Sequence, residues 1–232
     1  MKIAVIGATG GTGRKVMERA LELGHEVVAI ARRPEMISPL KRLTIRQGDV
    51  FDESSLVRAI AGAEVVISCI GPPSNASPVA AKKFLNLRAG MNVMAANFSP
   101  GTVMSEGMPN MIAASQRAGV KRLIMQSGIN LSNGRELSPV HRLAVRMMRR
   151  IFWKAIEDKS IAEHALIQSE LEWVIVRASV LQYAEGTLKY TAGPLARINP
   201  LGALPFADCA DCLVRAAASE PEWIRQVVNV GR

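Results

Sequence analysis

Short, almost uninterrupted apolar runs alternate along the chain with stretches whose apolar residues recur at helical spacing. The runs 2–6, 26–31, 43–47, 64–69, 121–126, 172–176 and 226–230 read as buried strands. Between them the spacing predicts helices over 11–23, 53–60, 109–118, 159–169 and 207–218. Gly24 and Gly119 stand where the first and third of these should stop. Strands apolar on both faces, alternating with helices, predict a parallel sheet covered on both sides. The fold class is therefore α/β, a doubly wound parallel sheet. One domain is expected over 1–232, with insert-like stretches at 72–108 and 131–158 and a small C-terminal, substrate-side part at 182–205. Ligands in such sheets bind beyond the carboxyl ends of the strands. Both long stretches follow strands there. Each is a pocket wall or lid, or else a packed surface helix or oligomer contact.

Composition narrows the class. Of the 232 residues, 49% are hydrophobic and 21% charged, enough apolar material for a full core, which excludes wholesale disorder. No uncharged apolar run approaches the length of about 18 residues that a membrane span needs. Met1–Gly7 reaches a glycine-rich turn too soon for a signal peptide. Three cysteines are too few for a disulfide framework. A soluble, cytoplasmic protein is expected. The excess of 29 basic over 20 acidic residues, +9, suits an anionic partner: a phosphate-bearing cofactor, an acidic lipid surface or nucleic acid. Aromatics make up 4% and do not interleave with basic residues, which argues against nucleic acid.

The strongest chemical signal is Gly7-Ala8-Thr9-Gly10-Gly11-Thr12-Gly13, directly after the first strand and opening the first helix. Glycines permit a tight turn and close backbone approach, and the helix N-terminus offers free N–H groups to a pyrophosphate. The second strand ends at Ala31-Arg32-Arg33-Pro34. An acid at that strand end binds a ribose 2′-hydroxyl, whereas arginine accommodates a 2′-phosphate. Arg32 and Arg33 therefore favour NADP(H) over NAD(H). After the third strand, Asp49 (followed by Val50) either accepts from an adenine amino group or caps the next helix. At the end of the fourth strand, Cys69-Ile70-Gly71 would let the chain approach the cofactor.

The residues Gly7-Ala8-Thr9-Gly10-x-x-Gly13, Gly24-His25-Glu26-Val27, Ala31–Pro34 and Gly48-Asp49-Val50 resemble the atypical short-chain dehydrogenase/reductases. The nearest branch is the NAD(P)H-binding, NmrA-like and biliverdin/flavin-reductase-like group. Ala118–Ile124, Lys159-x-x-x-Glu163 and Ser169–Arg177 extend the resemblance over most of the chain. It implies a Rossmann-like fold and places Ser127 and Lys159 at the family's catalytic serine and lysine. It also places Ala178, Ser179, Val180 and Leu181 at the cofactor, with Ser179 and Leu181 lining the nicotinamide side. The family tyrosine falls at residue 155, which here is Ala155; the two tyrosines are Tyr183 and Tyr190. Reduction of an ordinary ketone needs a proton on the developing alkoxide. Without the phenol, acceptors that take their proton from water remain, such as flavins, quinones and conjugated carbonyls.

Other patterns are weighed against structural roles. From His141 to Lys154 there are five basic residues, Arg142, Arg146, Arg149, Arg150 and Lys154, and no acid. Their spacing puts them on one helical face, with Leu143, Met147 and Ile151 on another. The reading favoured here is a solvated basic face with the apolar side on the core. A membrane surface, a partner, or a lid over an anionic substrate are the other uses. Met91, Met94, Met104, Met108, Met111, Met125, Met147 and Met148 suit a pocket for flat ligands or, more simply, core filling. Cys209-x-x-Cys212 has redox spacing but reads as two small core positions. His25, His141 and His164 show no metal spacing.

The expectation is an NADPH-dependent oxidoreductase, monomer or homodimer, that passes hydride to a small planar acceptor, anionic in one version. The resemblance implies that Ser127 orients or polarises the acceptor and that Lys159 holds the nicotinamide ribose or lowers the barrier electrostatically. The alternative is a non-catalytic NADP(H)-sensing regulatory protein. An epimerase or dehydratase of nucleotide sugars ranks third.

Overall fold

The computed structural model describes residues 1–71, 101–134 and 137–232. An eight-stranded sheet runs in the order β3-β2-β1-β4-β5-β6-β10-β8. Its strands are β1 (Lys2–Ile6), β2 (Glu26–Ala31), β3 (Leu43–Gln47), β4 (Val65–Ser68), β5 (Arg122–Gly128), β6 (Glu172–Ala178), β8 (Thr191–Pro194) and β10 (Gln226–Gly231). All pair in parallel except β8, which runs antiparallel to β10 at the edge. A separate parallel pair joins β7 (Val180–Gln182) to β9 (Ala203–Pro205). Pleating explains the continuous apolar runs: Ile3 and Val5 face one core, Ala4 and Ile6 the other.

Helices α1 (Gly11–Glu22) and α6 (Phe206–Ala218) cover the first face. Helices α2 (Glu53–Ile60), α3 (Val103–Arg117) and α5 (Trp153–Ile167) cover the second. Helix α4 (Pro139–Ile151) precedes α5, with Phe152 between them. α1 stops as expected. Gly24 takes φ +84°, its N–H donates to Leu21 O, and the N–H of His25 donates to Ala20 O.

Two helices begin earlier than the spacing predicts. α3 starts at Val103 and carries Pro109 inside it. Its first turn is held by a remote acid: the buried Asp158 carboxylate of α5 accepts from Met104 N at 3.3 Å and Ser105 N at 2.8 Å. A tertiary cap of this kind is invisible to local patterning. α5 begins at Trp153, because the chain continues almost directly out of α4. The short strands β7, β8 and β9 carry no pattern that the sequence reading picked up.

The basic segment corrects the favoured reading. Val145 is the buried side chain of α4, whereas Leu143 (58% exposed), Met147 (58%) and Ile151 (48%) face outward. The apolar side is not on the core. Met104, Met108, Met111 and Met125 are core filling, each at most 2% exposed; Met91 and Met94 lie outside the described residues. Cys209 and Cys212 are fully buried on α6, and burial holds both thiols well above the usual range. Among the described residues, no helix is long and apolar enough to cross a membrane.

Candidate functional site

The sheet order reverses at β1, which lies between β2 and β4. A crevice opens at the carboxyl ends of strands at such a point. The glycine loop sits there. Gly7 takes φ +81°, and Gly10 N donates to Gly7 O at 3.0 Å, closing the turn. A Cβ on Gly13 would lie 2.2 Å from Gly7 O, so the helix start and the turn fit only without a side chain. Gly10 is the N-cap of α1, with no side-chain cap and no acid in the first turn. The first-turn amides keep their donor capacity and the positive end of the helix dipole. Thr12 is buried. The carbonyl of Thr9 accepts from Arg14 Nε at 3.0 Å, which braces the loop from behind.

The end of β4 touches this turn. A Cβ on Gly7 would stand 3.0 Å from Cys69 O, and Cys69 N donates to Ile6 O at 2.9 Å. Cys69 and Ile70 are half-buried there and Gly71 is exposed. Burial pushes the Cys69 thiol up to about 12, so it is an inert lining group. Arg32 and Arg33 are exposed at the end of β2. Gln47 Nε2 donates to Arg32 O at 3.3 Å, which leaves the Arg32 side chain out of that contact.

Asp49 and Val50 serve the loop after β3. Asp49 Oδ1 accepts from Phe51 N at 3.1 Å, while the cap of α2 is Asp52, accepting from Ser55 N at 3.1 Å. The helix-cap alternative for Asp49 is thereby corrected to a turn role, with Oδ2 making no hydrogen bond among the described residues. Val50 is buried against Gly107, and its carbonyl accepts from Asn110 Nδ2 at 2.8 Å. It acts as a clasp to α3.

At the end of β5, Ser127 precedes Gly128, and the Lys159 side chain of α5 reaches Gly128. Lys159 Nζ lies 3.7 Å from the Cβ position of Gly128. Ser127 is 6% exposed, and its Oγ has no hydrogen-bond partner among the described residues. Asn130 Oδ1 stands 2.7 Å from the same Cβ position, buried and equally unpartnered. Sequence reading missed Asn130; its signal is only that it follows the strand-end serine by three residues. Burial lowers the Lys159 pKa, opposed by the charges of Glu163 and Asp158. Glu163 itself is committed to Arg177 of β6 through two bonds, at 3.1 and 2.5 Å. That buried pair fixes α5 against the sheet and so fixes Lys159.

Ala155 is 1% exposed, one turn before Lys159. Neither tyrosine substitutes for it. The Tyr190 phenol donates to Asp211 Oδ2 at 2.5 Å and accepts from Arg215 Nη1 at 3.2 Å, and burial holds it far above the usual phenol range. Tyr183 lies at the other end of the crevice. Its hydroxyl is 3.1 Å from the Cβ position of Gly11, and its ring packs 4.6 Å from Phe206, which also abuts Gly11. The extra glycine of the loop is thus explained by an aromatic pair that the sequence did not reveal. Ala178 is buried at the end of β6. Ser179 is buried against Gly231, Val180 is exposed and Leu181 half-buried in the β7–β9 pair. Beyond these strand ends a cleft of about 530 Å³ is lined by Leu137, Ser138, Pro139, His141, Arg142, Arg197 and Ile198.

These residues fit a dinucleotide: a side-chain-free turn, an uncapped helix start, cations at the β2 edge, and a buried serine hydroxyl without a partner. A family model described as NAD(P)H-binding matches residues 7–220. The chain belongs to the NAD(P)H-binding family. Over 80 residues it is 39% identical to an isoflavone reductase homolog of Zea mays, covering 30% of this chain and 26% of that protein. It is 36% identical over 80 residues to a phenylcoumaran benzylic ether reductase of Nicotiana tabacum, with the same coverage. The chain thus spans about a quarter of the length of these curated relatives. Solved structures share the fold throughout. A short-chain dehydrogenase/reductase from Veillonella parvula, in complex with NADP, superposes with a TM-score of 0.73 at 18% identity, covering 100% of this chain and 94% of that one. An anaerobillin reductase from Escherichia coli O157:H7 gives 0.73 at 20% identity, covering 100% and 97%.

Proposed function

We propose that this family member is an NADPH-dependent reductase of a small planar acceptor, working without a catalytic tyrosine. The observation that carries the reading is a complete phosphate loop together with a buried, unpartnered Ser127 hydroxyl at the end of β5, a half-buried Lys159 that reaches the adjoining Gly128, and a buried Ala155. The first-turn amides of α1 would hold the pyrophosphate, Arg32 and Arg33 the 2′-phosphate, and Asp49 the adenine edge. Cys69, Ile70 and Gly71 would lie along the cofactor, with Ala178, Ser179, Val180 and Leu181 on the nicotinamide side. Bound NADPH supplies the hydride.

Ser127 Oγ would donate to an acceptor oxygen or nitrogen. Lys159, its charge close to the strand end, would hold the ribose hydroxyls and favour negative charge developing on the acceptor. Among the described residues, Ala155 stands where the family's phenol would give a proton, and neither tyrosine replaces it. The acceptor's proton therefore comes from water, which flavins, quinones and conjugated carbonyls tolerate. The reductases named among the relatives are consistent with this chemistry. On this reading the partner is a small molecule met in the cytoplasm by a monomer or homodimer. The buried Ala155 also favours a second reading, a sensor that binds NADP(H) without turnover.

The test is NADPH oxidation against a panel of flavins, quinones and enones. Turnover with at least one acceptor, with KM for NADPH raised in Arg32→Ala/Arg33→Ala, is expected. Tight NADPH binding with no turnover on the whole panel would transfer the assignment to the sensor.

A further inference from the structure

Helix α4 has three faces. His141, Ala144, Met148 and Phe152 are half-buried around the buried Val145, and this face rests on the body. Arg142, Arg146, Arg149 and Arg150 are exposed on the second. The third is apolar and equally exposed: Val140 at 76%, Leu143 at 58%, Met147 at 58% and Ile151 at 48%. Steps of three, four and four residues align these four in one stripe. Just past the helix, Trp153 is 55% exposed with Lys154 Nζ 5.7 Å from its ring centre. From His141 to Lys154 there is no acid. Single exposed apolar residues are ordinary, but a contiguous stripe of four marks an interaction surface.

We propose that α4 is an interfacial helix that lays Val140, Leu143, Met147 and Ile151 into the surface of an anionic lipid bilayer. Arg146, Arg149, Arg150 and Lys154 then meet the headgroup phosphates. Charge selects this occupant. In a pairing of two copies along the stripe, the arginine rows flanking it would face each other with no acid in the segment to offset them. An exposed apolar strip beside a cationic row is the pattern of helices that lie in the plane of an anionic membrane. This inference is independent of the proposed reaction.

The tryptophans provide the readout. Trp153 is the exposed one, whereas Trp173 and Trp223 are 8% and 6% exposed. The full chain is titrated with phosphatidylcholine vesicles and with vesicles of equal phosphatidylcholine and phosphatidylglycerol. A blue shift of emission, quenching by lipids brominated on the acyl chain, and co-sedimentation are expected with the anionic vesicles only. Arg146→Gln/Arg149→Gln should weaken partitioning about 30-fold, and Leu143→Ser/Met147→Ser about a hundredfold. Both variants replace exposed side chains, so their melting temperatures should stay near wild type. No blue shift with anionic vesicles overturns the proposal, and so does equal binding to both vesicle types. A dimer in sedimentation equilibrium that Leu143→Ser/Met147→Ser dissociates, without lipid binding, would assign the stripe to a second copy instead.

Discussion

The two ends of the crevice are built in different ways. The phosphate end is local. Gly7 to Gly13, the end of β2 and the turn at Asp49 all come from the first 50 residues, and they meet through backbone contacts that any compatible turn would reproduce. Residues 127 to 232 wall the rest of the crevice, reach the phosphate end where Phe206 and Tyr183 abut Gly11, and are held by buried charges. Asp208, fully buried, accepts from Thr187 N at 2.8 Å, Leu188 N at 2.9 Å and Arg232 Nη2 at 2.9 Å, tying the β7–β8 connection and the C-terminus to α6. Asp211 bonds Arg19 of α1 at 2.7 Å and the Tyr190 phenol. On the proposed reading, the cofactor's phosphates and adenine are met by the loop and the strand ends beside it, whereas the acceptor side depends on segments joined by tertiary locks.

The sharpest way to break this contrast is at Gly13. In Gly13→Val the new side chain meets Gly7 O, and no rotamer relieves a clash with backbone. We expect NADPH affinity to fall more than about a hundredfold with a stability loss of about 3 kcal/mol, read by calorimetric titration and urea unfolding. Next is Asp208→Ala, which strands two backbone donors and takes the carboxylate from Arg232, leaving that guanidinium only Thr187 Oγ1 among the described residues. Stability should drop by about 3–5 kcal/mol, while the folded fraction keeps its NADPH affinity within about twofold. An equal loss of both would show that the two ends are not separable.

Lys159→Met comes third. Single-turnover hydride transfer should slow about a hundredfold with a much smaller change in NADPH dissociation. The opposite split would make Lys159 a cofactor clamp alone. The smallest expected effect is at Cys69. Its thiol is held from 9.0 up to about 12, so the stability it contributes is complete below pH 9 and is lost as pH rises from 9 towards 12. Between pH 8 and 10.5, Cys69→Ala should lose about 1–2 kcal/mol less than wild type, measured by urea unfolding at the two values.

The same contrast governs what the sequence discloses. β1, β2 and β4 were legible because each is a near-continuous apolar run, and the helix after β1 carries its own stop signal, Gly24. The loop Gly7–Gly13 and the arginines at 32 and 33 are likewise local signals. Helix α3 was misplaced because Asp158, far along the chain, supplies its cap and overrides the boundary that Pro109 suggests. The clasp of Val50 on Gly107, and the aromatic pair on Gly11, depend on partners no periodicity announces. α4 was found but turned the wrong way. Its apolar stripe has no matching surface on the described part of the chain, and amphipathic spacing by itself does not say which apolar face meets the core. Ser127 and Lys159 were reached by resemblance, and their neighbour Asn130 by neither route.

The most direct test of this account is to titrate NADPH and NADH separately into the wild-type protein and into Arg32→Ala/Arg33→Ala. The account predicts NADPH bound at least about tenfold more tightly than NADH by wild type, with that preference abolished and NADH affinity unchanged in the variant. Equal affinities for the two cofactors in wild type, or a preference that survives the loss of both arginines, would contradict it.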